Sequence, residues 1–258
     1  MIQEHRLLDG GKIDYQRALR YQLDDPSWVK TLFFVTLGMI VPLIGPIVVQ
    51  GYQGTVIEAL ARGGINAPPP PFDFAKLADY LLRGLRMFVV SLLVSLILLP
   101  VLWLGSVVVL VTVLPTMHAL GPGEGLSTMV GCSLLAVFGL LAVALGLAIS
   151  VVVTPPIVRA ALDRDLGGIF DFAFARDFLK RTGADGWKAH LYVIAINLGL
   201  FVVGMLACVI GVFPAIAFGM LLQAHLYGQL YLLYLHRGGR RVEPTVAGPA
   251  DGRGEWPR

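Results

Sequence analysis

Four blocks of this chain, 31–57, 87–123, 125–158 and 191–235, contain no Asp, Glu, Lys or Arg. No other feature limits the fold so strongly. A bilayer core about 30 Å thick is crossed by roughly 20 apolar residues of helix. A soluble domain carries about a quarter charged residues, whereas here they are 14% of 258, against 56% hydrophobic. The blocks accommodate five hydrophobic helical segments, near 31–52, 87–112, 126–153, 191–211 and 214–235, with Gly211–Pro214 dividing the last block. The expectation is an all-α integral membrane protein in three parts. Residues 1–30 form a polar segment with a short helix, 31–236 the membrane domain, and 237–258 a Pro/Gly-rich tail read as disordered.

The flanking segments fit that frame. Residues 1–30 lack an apolar core and a small-residue cleavage site, so no signal peptide is expected. Lys and Arg are confined to the segments between blocks, so the formal charge of +3 points to no nucleic acid. Positive charge sorts to the cytoplasm. Segment 53–86 carries four Lys/Arg, 159–188 six and the tail from Arg237 five, so these segments, and the C-terminus, are expected on the cytoplasmic side of the cell membrane. Asp25-Pro26 resembles an N-cap followed by a first-turn proline, with Trp28 and Lys30 after it as an interfacial aromatic and a cation, and Asp185-Gly186-Trp187-Lys188 repeats the acid, aromatic and cation before the fourth segment.

A proline-rich stretch, 67–71, precedes a predicted amphipathic helix capped by Asp73, with Lys76, Asp79, Arg83 and Arg86 on one face. Such a helix lies in the headgroup plane before turning into a span. Phe72-Asp73-Phe74-Ala75 is matched by Phe170-Asp171-Phe172-Ala173, and seven of twelve positions agree through Arg83 and Arg181. Two cytoplasmic amphipathic helices in equivalent places suggest an internal duplication, a parallel pseudo-repeat about the membrane normal.

The first block holds a harder question. Pro42 and Pro46 sit near its middle, in PLIGPIVVQGYQG. As one kinked span, Thr31–Gly51 would be about 31 Å long, enough to cross. As a re-entrant hairpin, 31–41 and 47–57 would each reach the midplane. Charge counting favours the hairpin, which leaves all 20 Lys/Arg on one side. Trp28 and Tyr52, one for each interface, favour the span, and re-entrant backbone is rare because it must be buried or line a cavity. The kinked span is the expectation.

The residues of this region resemble the opening of the domain-of-unknown-function 4013 family of polytopic membrane proteins. The resemblance rests on Asp25, Trp28 and Lys30 at the entry, Pro42, Gly45 and Pro46 at the centre, then Gly51, Tyr52, Arg62 and Gly63. Leu226-Tyr227-Gly228-Gln229-Leu230-Tyr231 near the end is a further match, and Pro71–Gly84 fits the family's proline-flanked amphipathic element. The resemblance implies an uncharacterised membrane protein and no catalytic residue.

Chemistry is sparse. No carboxylate, Lys or Arg falls at membrane depth, where ionisable groups ordinarily mark function. The polar residues there are Asn197, Gln223, His225 and Gln229, a candidate intramembrane cluster. On a helical wheel Gln223, Tyr227, Tyr231 and Tyr234 share one face and His225 and Gln229 the opposite one. Helix–helix hydrogen bonding, with Tyr231 and Tyr234 in an aromatic belt, explains them as well. Cys132 and Cys208 fall inside predicted helices, in no metal or redox spacing, and are read as buried thiols. Gly139–Gly146 suits close helix packing. No nucleophile elbow, metal motif or phosphate loop occurs, so no enzyme, cofactor or metal is expected. Two functions remain: a non-enzymatic membrane scaffold or accessory subunit, contacting the bilayer and other membrane subunits, or a small transporter or lipid-handling protein with a site in the bundle.

Overall fold

A computed structural model describes residues 11–119, 125–163, 167–207 and 210–242. These form seven α-helices: α1 (Tyr15–Arg20), α2 (Trp28–Ile40), α3 (Ile44–Gly63), α4 (Leu77–Ala119), α5 (Gly125–Leu162), α6 (Phe172–Leu206) and α7 (Val212–His236). No strand occurs among the described residues. Four stretches, Phe74–Thr112, Met129–Leu162, Phe172–Leu206 and Val212–His236, are long and apolar enough to cross a membrane, and α2 is a shorter apolar helix.

The first block is not one kinked span. The chain reverses between α2 and α3, and the two helices pack side by side. Thr31 reaches the Tyr52 hydroxyl with its side chain, although a straight helix would hold them about 31 Å apart. A Cβ on Gly38 would lie 3.0 Å from Val49 Cγ2, eleven positions on, and one on Gly45 only 1.6 Å from the Gly38 carbonyl oxygen. The backbones therefore meet where only glycine fits. The reversal is a tight turn centred on Leu43, at φ 64° and ψ −60°, closed by a 2.8 Å hydrogen bond from the Ile44 amide to the Pro42 carbonyl. That is the strained, positive-φ γ-turn. Pro42 sits in the turn, and Pro46 in the first turn of α3, where a missing N–H costs nothing. Tyr52, expected at an interface, is fully buried; its hydroxyl donates to the Pro70 carbonyl at 2.6 Å and its ring packs on Phe72 and Tyr80.

Helix starts differ from expectation where tertiary partners intervene. α2 begins at Trp28, and the Asp25 carboxylate instead holds the Ser27 amide and hydroxyl. Asp185-Gly186-Trp187-Lys188 lies inside α6, with Asp185 paired to Arg237 at 2.7 Å. Asp73 does cap, accepting from the Ala75 amide of a short 3-10 turn (Phe74–Lys76) that runs into α4. Asp171 caps α6 through the Phe174 amide. The two stretches expected as amphipathic helices are the first turns of α4 and α6, and neither is a helix of its own. Nor is their charged face simply solvated, since Arg83 pairs with Glu58 of α3, and Arg86 donates to the Asp163 carbonyl. The ends of α3 to α7 that carry charge thus meet one another, joined also by Arg159–Asp171 at 2.9 Å.

α7 is the axis of the bundle, packed by α1, α2, α3, α5 and α6. Tyr231 and Tyr234, expected in an aromatic belt, are buried because the chain after α7 folds back over them. The Tyr231 hydroxyl accepts from the Val242 amide at 2.9 Å, and the Tyr234 hydroxyl donates to Asp177 and accepts from the Arg240 amide. Residues 237–242 of the expected disordered tail are therefore held in place, and the remainder lies outside the described residues.

α4 and α5 extend past the bundle as a two-helix arm. Between 92 and 112 no residue is buried, and Gly105 meets Phe138 across the pair. Cys132, read as a buried thiol, is exposed on this arm; Cys208 lies outside the described residues. Gly139 and Gly146 face open space, so the close packing they suit is not made among the described residues.

Candidate functional site

The four polar residues singled out in the sequence do not form one cluster. Asn197 lies on α6, and α7 places His225 and Gln229 on one face and Gln223 on the other, as the 100° spacing requires. On the first, Gln229 reads the backbone of the N-terminal segment. Its Oε1 accepts from the Asp14 amide and its Nε2 donates to the Asp14 carbonyl, both at 2.8 Å, while the same Nε2 lies 3.1 Å from His225 Nδ1. The Tyr21 ring covers His225, centroids 4.1 Å apart. This face is a clip that fixes α1 to the bundle. Burial pushes the Tyr21 hydroxyl well above its ordinary range, against the opposing pull of Arg17, so it stays a neutral phenol.

The second face carries Gln223 and Tyr227. Gln223 Nε2 donates to the Tyr227 hydroxyl at 2.5 Å, and that hydroxyl lies 3.4 Å from His190 Nε2. Thr154 Oγ1 of α5 lies 3.3 Å from the same nitrogen. His190 Nδ1 donates to the Gly186 carbonyl at 2.8 Å, which leaves Nε2 as the acceptor. Gln223 and Tyr227 also line a partly open cavity of about 180 Å³ between α3, α4, α5 and α7, with Gln50, Gln53 and Ser91. Gln53 Nε2 donates to the Met220 carbonyl at 2.8 Å, and Ser91 Oγ to the Met87 carbonyl at 3.2 Å. Asn197 is elsewhere, seated on Gly219, where a Cβ would lie 1.8 Å from its Oδ1. It meets Gln223 only across a separate groove of about 420 Å³ between α6 and α7.

Sequence reasoning found Gln223 and missed Gln50, Gln53, Thr154 and His190. Gln50 and Gln53 stand three apart in the charge-free block 31–57, which puts both amides on one helix face; that spacing was the available signal. Among the described residues no three His, Cys, Asp or Glu side chains come together as a metal site. The motif residues have structural work: Pro42, Gly45 and Pro46 make the reversal, Gly51 meets the Tyr80 backbone, Tyr52 anchors the proline stretch, and Trp28 opens α2.

Comparison with curated proteins and with solved structures gives no match. A family model described as a protein of unknown function, DUF4013, matches residues 34–224, from within α2 to the middle of α7, and the chain belongs to that family.

Proposed function

We propose that this chain is a multi-pass, non-enzymatic accessory or scaffold subunit of the cell membrane, with its charged end and C-terminus in the cytoplasm, that docks other membrane subunits through the α4–α5 arm. The arm carries this reading. Its apolar windows are 11% and 6% buried, and α5 presents Gly139 and Gly146 to open space. In lipid, helices associate through close backbone approach at small residues, so a partner helix would seat there. α4, at 43 residues, is about 65 Å long, some twice the hydrocarbon thickness.

Native mass spectrometry of the protein in lipid nanodiscs tests this. The unaltered chain is expected to carry a second copy or another subunit, and Gly139→Leu with Gly146→Leu to run alone with an unchanged melting temperature. An unaltered chain that runs alone defeats the reading.

A further inference from the structure

The cavity among Gln50, Gln53, Ser91, Gln223 and Tyr227 goes beyond an accessory role, and it shares no residue with the exposed stretch of the arm. Gln53 and Ser91 donate to backbone carbonyls, and Gln223 to the Tyr227 hydroxyl. Gln50 Oε1 is sealed from solvent and has no hydrogen-bond partner. A buried acceptor left unpaired is costly, and the Gln50 side chain borders a space of about 180 Å³; against about 30 Å³ for a water in the liquid, that is room for roughly six waters or a molecule of similar heavy-atom count.

The lining defines what fits. No Asp, Glu, Lys or Arg faces the cavity, so an ion entering it would be desolvated without a counter-charge. Ile57, Met87 and Ile157 make up the remaining wall, which suits an alkyl group. The occupant is therefore neutral, donates a hydrogen bond and carries a short apolar part. An entry is also built in. Met220 and Gln223 line both this cavity and the groove between α6 and α7, which is walled by Ile194, Phe201 and Ile216. Met220 is a flexible thioether side chain, and Gln223 is held only through its bond to Tyr227.

We propose that this cavity binds a small neutral amphiphile, an alcohol or primary amide with a short alkyl chain, which enters from the α6–α7 groove past Met220 and Gln223 and donates to Gln50 Oε1 as that side chain turns toward it.

The test uses the full chain in nanodiscs, with Cys132→Ser and Cys208→Ser, and Ser91→Cys as a reporter in the cavity wall. The rate of its modification by N-ethylmaleimide is measured with 1-hexanol, hexanoate or hexane as probe. Hexanol is expected to slow modification several-fold, while hexanoate and hexane leave it nearly unchanged. Gln50→Leu should remove the hexanol protection while modification continues, and Met220→Trp should slow modification without any probe. Equal protection by hexane and hexanol overturns the hydrogen-bonding class. Modification that hexanol does not slow shows a cavity filled by water alone and overturns binding. The comparison of probes on the Ser91→Cys chain stands without the Gln50 and Met220 variants, should either fail to fold.

Discussion

α7 and the α4–α5 arm relate hydropathy to burial in opposite ways. The two arm helices have the most apolar windows, mean hydropathy 2.7, and these are 11% and 6% buried; α7 has the least apolar window of the four, 1.2, and is 78% buried. In water the ranking would be the reverse. The difference follows from the solvent: lipid tails are as apolar as leucine, so nothing drives leucine inward, and polar groups gather inside where they find partners. His225, Gln229, Tyr231 and Tyr234 are all buried in α7, and each has a named partner.

The contrast breaks if the arm proves as sensitive as α7. Leu230→Ala in α7, 1% exposed, is expected to lower stability by about 2–5 kcal/mol through a cavity in a packed core. Leu140→Ala on the arm, 71% exposed, should stay within about 0.5 kcal/mol. Reversible unfolding in mixed detergent micelles measures both, and equal losses would mean that the arm is packed by something within the chain.

A smaller effect is expected where α7 holds its polar partners. Gln229→Leu leaves the Asp14 amide and carbonyl without their side-chain partners, at about 1–3 kcal/mol. Hydrogen exchange should rise first in α1, and an unaltered α1 would show that the clip is not what holds it.

The smallest effect lies at the charged end. The Phe174 amide holds the Asp171 carboxyl below the ordinary range; burial pulls the other way, and Arg159 and Arg240 add to the lowering. A depressed folded value stabilises above the unfolded carboxylate pKa, and that contribution is lost as pH falls through the folded value. Asp171→Asn should therefore melt lower than the unaltered chain at neutral pH, and the gap should narrow as the medium is acidified below about pH 3.9. A gap that is constant with pH would remove the charge argument.

Residue by residue, the sequence carried the all-helical class with helices long and apolar enough to cross a membrane, because charge-free blocks of 27 to 45 residues have few other uses. It also carried the Asp73 cap, which is local, and the opposed faces of α7, which follow from helical spacing. The reversal at Pro42 was not legible. Length allowed both a span and a hairpin, and Tyr52 was taken for an interfacial aromatic, although its hydroxyl is used by Pro70. The cavity was half legible: Gln223 stood out, but Gln50 and Gln53 acquire meaning only once α3 lies against α7.

By itself, then, the sequence determined which segments form long apolar helices and which side chains share a helix face, both consequences of composition and helical period. The tertiary structure alone decided that the first block returns on itself, that the least apolar long helix lies at the centre, and that Gln50 has a space to face. Those outcomes depend on backbone approaching backbone, at Gly38 and Gly45 and at Gly51 and Tyr80, and such contacts between distant residues leave no periodic mark along the chain.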